Sequence, residues 1–169
     1  MPKIIENVRY QLMAEAKKQI AELGYKNTTI RSVATGCNIA VGTVYNYFKS
    51  KDVLIASFIL QDWLEVVNSI SAYPKESRKD YIEYIHTSLI KFETNYTGLF
   101  SDKDAQTVFN LAFSERHKQL RNQLATLILP ICRGDDMFLA EYVAEALLTW
   151  TMAGKSFKSI YALLPEQIK

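Results

Sequence analysis

An all-α fold is predicted by three features of this sequence of 169 residues. Apolar residues recur three and four positions apart over most of the chain, which is typical of amphipathic helices. No segment sustains the alternation of apolar and polar residues that marks a strand. Hydrophobic residues make up 49% of the chain, so it can bury one core or two small helical cores.

The first helix is predicted from Pro2, a residue suited to a first turn, to a stop at Gly24. Its buried stripe consists of residues three or four apart, namely Ile5, Val8, Leu12, Ala16, Ile20 and Leu23. A short helix over residues 30–36 follows, and the hydroxyl of Thr28 or Thr29 caps it. The inward residues of this short helix are Ile30, Val33 and Ala34.

A tight turn and a second short helix come next. Asn38 occupies the turn, because Asn tolerates the positive φ that such a turn requires. The second short helix covers about residues 40–48, and Val44 and Phe48, four positions apart, anchor it to the first. Two short helices joined by such a turn form a helix-turn-helix, whose second helix enters the major groove of DNA.

Longer helices are predicted in the rest of the chain. The first begins after Ser50, which caps it, and reaches Tyr73. The others cover residues 77–96, 104–132 with a break ahead of Pro130, and 136–164 with a bend near Gly154. We divide the chain within the helix that follows Ser50, into domains of residues 1–50 and 51–169.

Charge is distributed unevenly along the chain. Residues 1–51 carry eight Lys and Arg against three Glu, a net charge of +5, and the remainder has a net charge of −3. A basic first third and an acidic remainder orient a protein on a polyanion. The sequence lacks an apolar run of eighteen residues and a signal peptide, so we expect a cytoplasmic protein without membrane contact. Cys37 and Cys132 are expected to be buried free thiols.

The second short helix presents an outward face suited to a duplex. Gly42 costs about 1 kcal/mol in a helix relative to Ala, so close approach by another molecule is the physical reason for it. Thr43 and Asn46 can hydrogen-bond base edges, and Val41 can contact thymine methyl groups. Phosphate contacts are expected from Tyr45, Tyr47, Lys51, Thr29 and Arg31.

Residues 24–54 carry a specific pattern. It reads Gly24-Tyr25-x-x-Thr28-Thr29-Ile30-x-x-Val33-Ala34 and then Ile39-Ala40-Val41-Gly42-Thr43-Val44-Tyr45-x-Tyr47-Phe48-x-Ser50-Lys51-x-x-Leu54. The pattern closely resembles the DNA-binding domain of the tetracycline-repressor (TetR) family over roughly residues 5–55. The resemblance implies a three-helix DNA-binding domain, a helical domain for ligand binding and dimerisation, and repression relieved by a small molecule. It gives DNA-facing roles to Thr29, Arg31, Val41, Gly42, Thr43, Tyr45, Asn46, Tyr47 and Lys51.

Two departures from the family pattern bear on DNA recognition. Cys37 and Asn38 stand where Ala-Gly is common, and Ala40 replaces a usual Ser or Thr at the start of the recognition helix. Losing that cap costs about 1 kcal/mol of helix stability and one phosphate contact. The recognition helix also lacks Arg and Lys, the usual partners of guanine, so we expect base reading to favour A·T pairs and DNA shape.

The second domain is rich in aromatic residues, most of which are expected in the core. A subset is predicted to line a pocket for an apolar or aromatic small-molecule effector, namely Trp63, Tyr84, Phe92, Tyr96, Phe109 and Phe113. Glu93 or His86 could supply a polar contact there. Near the end of the chain, a stripe is predicted to form a two-fold dimer interface or to be buried within one subunit, and it comprises Phe138, Tyr142, Val143, Ala146, Leu147, Trp150 and Thr151.

Three functions are compatible with these features. The leading hypothesis is a homodimeric repressor that binds a double-stranded operator and responds to an effector. The alternatives are a DNA-binding regulator whose helical domain docks a partner protein, and a helical-bundle enzyme or carrier. Glu83 and His86 have the spacing of a di-iron ligand pair, but no second such pair is present, and both His86 and His117 are expected to be partly exposed. We therefore predict a protein that is not an enzyme and needs no cofactor.

Overall fold

The computed structural model describes residues 7–168, and in that range the side chain of Phe109 is not described. The described residues contain helices and turns but no strand, which confirms the predicted all-α class. The helices are α1 (Val8–Asn27), α2 (Ile30–Gly36), α3 (Val41–Tyr47), α4 (Lys51–Ala72), α5 (Arg78–Phe100), α6 (Gln106–Ala112), α7 (His117–Ile128), α8 (Met137–Met152) and α9 (Phe157–Leu163). The predicted helix start at Pro2, and Ile5 of the predicted stripe, lie outside the described residues.

The end of α1 agrees with the predicted stop at Gly24. That glycine has φ 76° and ψ 173°, so it interrupts the helix before a last turn that reaches Asn27. Leu12 and Ala16 of the predicted stripe are buried. Leu23 is 49% exposed, so its predicted burial is wrong, because it lies next to the break where the helix leaves the core.

The turn signals of the helix-turn-helix are confirmed. Thr29 is the N-cap of α2, and its Oγ1 accepts a hydrogen bond of 3.0 Å from the backbone N–H of Ser32. Asn38 has φ 54°, as the tight turn requires. Val44 and Phe48 are buried and hold α3 in place.

The later helices are more broken than predicted. Between residues 103 and 131 the chain forms α6 and α7 with three short 3₁₀ segments, at Lys103–Ala105, Ser114–Arg116 and Leu129–Ile131. The segment that contains Pro130 agrees with the predicted break, whereas the one at Ser114–Arg116 is unexpected. At Gly154 the chain ends α8 outright instead of bending it, because that glycine has φ 74°.

The chain forms two compact units. Of the described residues, the first contains 7–61 together with Thr97–Glu115, and the second contains Asp62–Tyr96 together with 116–168. Helix α4 is long and apolar enough to cross a membrane by length and composition alone. However, Ile55, Ile59 and Trp63 on this helix are buried inside protein, as is typical of a core helix.

His86 and Cys37 differ from expectation in their burial. His86 is only 5% exposed, so its predicted partial exposure is wrong. Its Nε2–H donates a hydrogen bond of 3.1 Å to the carbonyl oxygen of Lys155, which satisfies the buried ring. His117 is exposed as predicted and pairs with Glu145 at 2.9 Å. Both cysteines are free thiols, but only Cys132 is buried and Cys37 is half-buried.

Candidate nucleic-acid interface

Helix α3 presents one face to the core and the other to solvent. Val44 is fully buried, and Phe48, directly after the helix, lies under the Arg9 guanidinium at 4.7 Å from the ring centroid. The opposite face carries the residues predicted to meet DNA. Gly42, Tyr45 and Asn46 are exposed, whereas Val41, Thr43 and Tyr47 are half-exposed. These six residues therefore form a continuous outward surface along two helical turns, the length that a major groove accommodates.

Nothing inside the described residues requires a glycine at position 42. A Cβ atom built there has no neighbouring atom within 4 Å, and the backbone of Gly42 does not have positive φ. A helix gains up to about 1 kcal/mol when Ala replaces an exposed Gly. Glycine at position 42 therefore makes the helix less stable than alanine would, and no close contact within the described residues explains its presence.

The start of α2 is organised by a hydrogen-bond network that extends into α1. Ser32 Oγ accepts from the backbone N–H of Thr29 at 3.0 Å, which completes a reciprocal capping box. The buried Gln19 accepts a 2.6 Å bond from Ser32 Oγ and donates a 3.1 Å bond to the carbonyl oxygen of Ser32. Sequence reasoning missed Gln19 and Ser32, because a polar residue on the inner face of a helix is recognised only when its partner is known. The exposed Arg31 side chain projects from the same helix start.

Ala40 and Lys51 lie on either side of helix α3. Ala40 is exposed at the N-cap of α3 and makes no side-chain capping bond, as its departure from the family pattern implies. Lys51 is half-buried, and its Nζ donates a 2.9 Å bond to the carbonyl oxygen of Tyr25. The same ammonium lies 3.6 Å from the centroid of the Tyr25 ring. Lys51 therefore has protein partners within the first unit itself.

Electrostatics around Tyr25 and Lys51 follow from burial and nearby carboxylates. Burial raises the pKa of the Tyr25 phenol, and the hydrogen bond from its hydroxyl to Asp52 raises that pKa further. Burial lowers the pKa of the Lys51 ammonium, against the opposing effect of Asp52, Asp102 and Asp104. Because its pKa is raised, the Tyr25 phenol is uncharged near neutral pH.

The predicted effector residues form separate clusters. In the second unit, the rings of Trp63 and Phe92 meet edge to face at 5.6 Å, and Phe92 meets Tyr96 at 5.3 Å. Tyr84 instead stacks on Tyr73 at 3.9 Å. In the first unit, Phe113 packs against Phe100 at 5.1 Å. The side chain of Phe109 lies outside the described residues.

Two polar groups accompany the row Trp63, Phe92 and Tyr96. The indole N–H of Trp63 donates a 2.8 Å bond to Oε1 of Gln123, and the hydroxyl of Tyr96 donates to Asp62. All three rings are buried. The three rings therefore form a buried aromatic layer in which the indole N–H and the phenol hydroxyl both have hydrogen-bond partners. Of the two suggested polar residues, Glu93 is half-exposed, and the Nε2–H of His86 is already bonded to Lys155.

Helix α8 divides the predicted dimer stripe into two faces. Val143, Leu147 and Thr151 are buried within the second unit. Phe138 is 78% exposed, Trp150 is 50% exposed, and Tyr142 lies exposed between them. The exposed apolar surface that they form continues on α9, where Leu163 is 82% exposed. A groove of about 510 Å³ runs along this surface, lined by Tyr142, Ala146, Trp150, Lys155, Ser159, Ile160, Leu163 and Leu164.

Comparisons with known proteins agree with the geometry of the first unit. The model of the family "Bacterial regulatory proteins, tetR family" matches residues 12–58. The HTH-type transcriptional regulator HbdR of Aromatoleum sp. (strain CIB) is 32% identical over 75 residues, which cover 44% of this chain and 30% of HbdR. The chain therefore spans about a third of that relative.

Longer but weaker likenesses extend into the second domain. The HTH-type transcriptional repressor KstR2 of Mycobacterium tuberculosis is 26% identical over 131 residues, which cover 69% of this chain and 62% of KstR2. The solved structure of Salmonella enterica GusR is 16% identical, with a TM-score of 0.65, over 99% of this chain and 92% of GusR. At that identity the likeness to GusR shows the fold, and it covers both parts of the chain.

Proposed function

We propose that this chain, whose residues 12–58 match the model of bacterial regulatory proteins of the tetR family, is a cytoplasmic DNA-binding transcriptional repressor. It binds a double-stranded operator as a homodimer and is released by a small-molecule effector. The observation that carries the proposal is the outward face of α3, where Gly42 is exposed without any structural need for glycine. The match to a family of regulatory proteins also agrees with the prediction that the chain is not an enzyme.

The proposed contacts with DNA follow from the exposure and chemistry of each residue. Thr43 and Asn46 read base edges, Val41 packs against thymine methyl groups, and Gly42 lets the helix backbone approach the duplex closely. Tyr45 and Tyr47 bind phosphates through their hydroxyl groups. Thr29, Arg31 and Ala40 lie at the starts of α2 and α3, where backbone N–H groups face the phosphate backbone.

The test of this function is selection of duplexes from random DNA by the purified protein. We expect a palindrome whose half-sites are centred about one helical turn apart, because a two-fold dimer presents two copies of α3. Contacted positions should be rich in A·T, since α3 has no Arg or Lys to pair with guanine. Failure to enrich any sequence would contradict the proposed function. A G·C-rich consensus would contradict the proposed preference for A·T pairs.

Dimerisation is proposed through the exposed apolar surface of α8 and α9. Phe138, Tyr142, Trp150 and Leu163 would leave a large apolar patch in water if the chain were a monomer. In a two-fold interface this patch meets its own copy, so that two helices from each subunit pack as four. The dimer holds the two recognition helices at a fixed separation, as binding to two successive grooves requires.

Effector control is proposed for the second unit, around the aromatic layer of Trp63, Phe92 and Tyr96. An apolar or aromatic ligand would pack against these rings, and the groups of Gln123 and Asp62 would offer it polar partners. Of the other predicted lining residues, Tyr84 belongs to the same unit, whereas Phe109 and Phe113 belong to the first unit. An effector that binds one separation of the two recognition helices more tightly than the other shifts the population away from the operator-binding state.

A thermal-shift screen separates effector control from docking of a partner protein. We expect some apolar or aromatic compounds to raise the unfolding temperature, because a ligand at one hundred times its Kd stabilises the native state by about 2.7 kcal/mol. The same compounds should release the protein from the selected duplex. Compounds that stabilise the protein without releasing DNA, or a broad screen without any stabilising compound, would favour the partner-docking alternative.

A further inference from the structure

The buried amide of Gln19 joins α1 to the start of α2. Gln19 is only 7% exposed, and its Nε2 donates a 3.1 Å hydrogen bond to the carbonyl oxygen of Ser32. Its Oε1 accepts a 2.6 Å bond from the Ser32 hydroxyl. The two residues are 13 positions apart in the chain. Their paired hydrogen bonds therefore tie together two helices of the first unit.

Ser32 connects Gln19 to the N-cap of α2. The Oγ atom of Ser32 accepts a 3.0 Å bond from the backbone N–H of Thr29, and its own backbone N–H donates at 3.0 Å to Thr29 Oγ1. Because Thr29 Oγ1 is an acceptor in this bond, the hydroxyl hydrogen of Thr29 can still be donated to another group. Thr29 is exposed, and the backbone N–H groups of Ile30 and Arg31 belong to the first helical turn, which has no partners for them within the helix. These donors lie together at the start of α2, where a duplex phosphate can accept from them.

Glu15 holds the Gln19 amide from the other side. The Oε1 atom of Glu15 accepts a 2.7 Å bond from Nε2 of Gln19, four positions further along α1. A Cβ built on Gly36, the last residue of α2, would lie 2.2 Å from the same oxygen. The missing side chain of Gly36 thus leaves the space that the Glu15 oxygen occupies. Since Gln19 bonds Ser32 at two atoms and Glu15 at one, its amide uses both N–H groups and its oxygen, and it cannot turn over without losing these bonds.

We propose that Gln19 is a positioning residue for operator binding: it acts through Ser32 and orients Thr29 and the free backbone N–H groups at the start of α2 toward one duplex phosphate. This inference rests on the proposed DNA-binding function, and it adds to that function a residue that does not touch DNA. Donors that are oriented before the duplex arrives bind phosphate more tightly, because less ordering remains to be done on binding. A buried amide is costly to desolvate unless all its hydrogen bonds are made, and here the bonds that it makes are those that fix the start of α2.

Gln19→Met removes the connection and leaves the remaining groups with partners. Methionine is unbranched, flexible and apolar, so it can fill the same buried space. The Ser32 hydroxyl keeps the carbonyl oxygen of Thr29 as an acceptor at 2.9 Å, and the half-exposed Glu15 can bind water. We therefore expect Gln19→Met to fold and to bind the selected duplex about tenfold less tightly than the wild type. Gln11→Met, which replaces an exposed amide on the same helix, is the matched control and should leave the affinity unchanged.

Neutral substitution of single phosphates distinguishes positioning from a general loss of stability. Duplexes are prepared in which a methylphosphonate replaces one phosphate of each half-site, and the affinities of wild type and Gln19→Met are measured for each duplex. At the phosphate that faces the start of α2, the replacement should weaken wild-type binding about tenfold and Gln19→Met binding about threefold or less, because the contact is already impaired. All other phosphates should show the wild-type losses in both proteins. Thr29→Val, which removes the hydroxyl donor itself, identifies the same phosphate independently.

The outcomes separate the positioning role from the proposed function. Losses that are equal in wild type and Gln19→Met at every phosphate would overturn the positioning role, because a residue that only stabilises the fold affects all contacts alike. Unchanged affinity in Gln19→Met, with its fold verified by circular dichroism, would overturn it as well. In both cases the wild type still binds DNA, so the proposed function stands. A wild-type protein that selects no duplex would overturn the function and the positioning role together.

Discussion

The Gly42→Ala variant is expected to lose operator binding without losing stability. A Cβ at this position meets no atom within 4 Å in the folded chain, and Ala is favoured over Gly in a helix by up to about 1 kcal/mol. Against DNA, the added methyl group overfills a close contact, which costs about 1–3 kcal/mol for each recognition helix. Because a dimer presents two such helices, the affinity for a palindromic duplex should fall at least about thirtyfold.

Gly98 supplies a matched control for this substitution. It lies inside α5, is exposed, and leaves a built Cβ with no neighbour within 4 Å, as Gly42 does. Gly98→Ala should therefore raise the free energy of unfolding by a similar amount and leave duplex affinity unchanged. Urea denaturation and fluorescence anisotropy on the selected duplex measure the two quantities. Equal affinities for both variants would mean that the backbone at Gly42 does not approach DNA closely.

Local signals in the sequence were sufficient for the DNA-binding domain. Gly24 at its break, Thr29 at its cap and Asn38 in its turn each have a conformation that their own chemistry dictates. The outward set on α3 also follows from local spacing, since Val44 and Phe48 fix which face is buried. Short elements with strong terminal signals can be predicted because the deciding interactions lie within a few residues.

Features that depend on distant partners could not be predicted in this way. The buried ring of His86 is satisfied by a hydrogen bond from its Nε2–H to the carbonyl oxygen of Lys155, 69 positions away. The contacts of the Lys51 ammonium with the ring and carbonyl oxygen of Tyr25 likewise join residues 26 positions apart. The 3₁₀ segment at Ser114–Arg116 contains neither Gly nor Pro, so no local breaker in the segment marks the interruption in the sequence.

The aromatic stripe of α8 illustrates a limit of periodicity alone. Residues three and four apart can belong to one wide face, and the sequence left burial within one subunit and burial in a dimer as alternatives. The structure assigns Val143 and Leu147 to the core, and it leaves Phe138, Tyr142 and Trp150 exposed. One helix can therefore carry both a face buried in its own subunit and an exposed apolar face available to a partner. On α8 the two faces are separated by half-exposed residues such as Ala146.

Truncation of the exposed aromatic surface is expected to dissociate the proposed dimer. In a two-fold interface each substitution is present twice, and a central Trp contributes about 2 kcal/mol or more per copy. Trp150→Ala should therefore raise the dimer dissociation constant about a thousandfold. Leu163 is 82% exposed in one subunit. Leu163→Glu should raise the dimer dissociation constant at least as much, because the interface would bury the new charge opposite its own copy. Sedimentation equilibrium over a range of concentrations measures both effects.

Tyr10→Ala is the matched control for Trp150→Ala. Tyr10 is a 56% exposed aromatic residue on α1, away from α8 and α9 in sequence, so its loss should leave the dimer intact. Monomeric variants should keep their helical circular dichroism, because Trp150 and Leu163 are not part of the core of their own subunit. Binding to the palindrome should then fall toward the affinity of a single recognition helix for a half-site. A dimer that survives both substitutions must use another surface, and the separation of the two recognition helices would have to be set there instead.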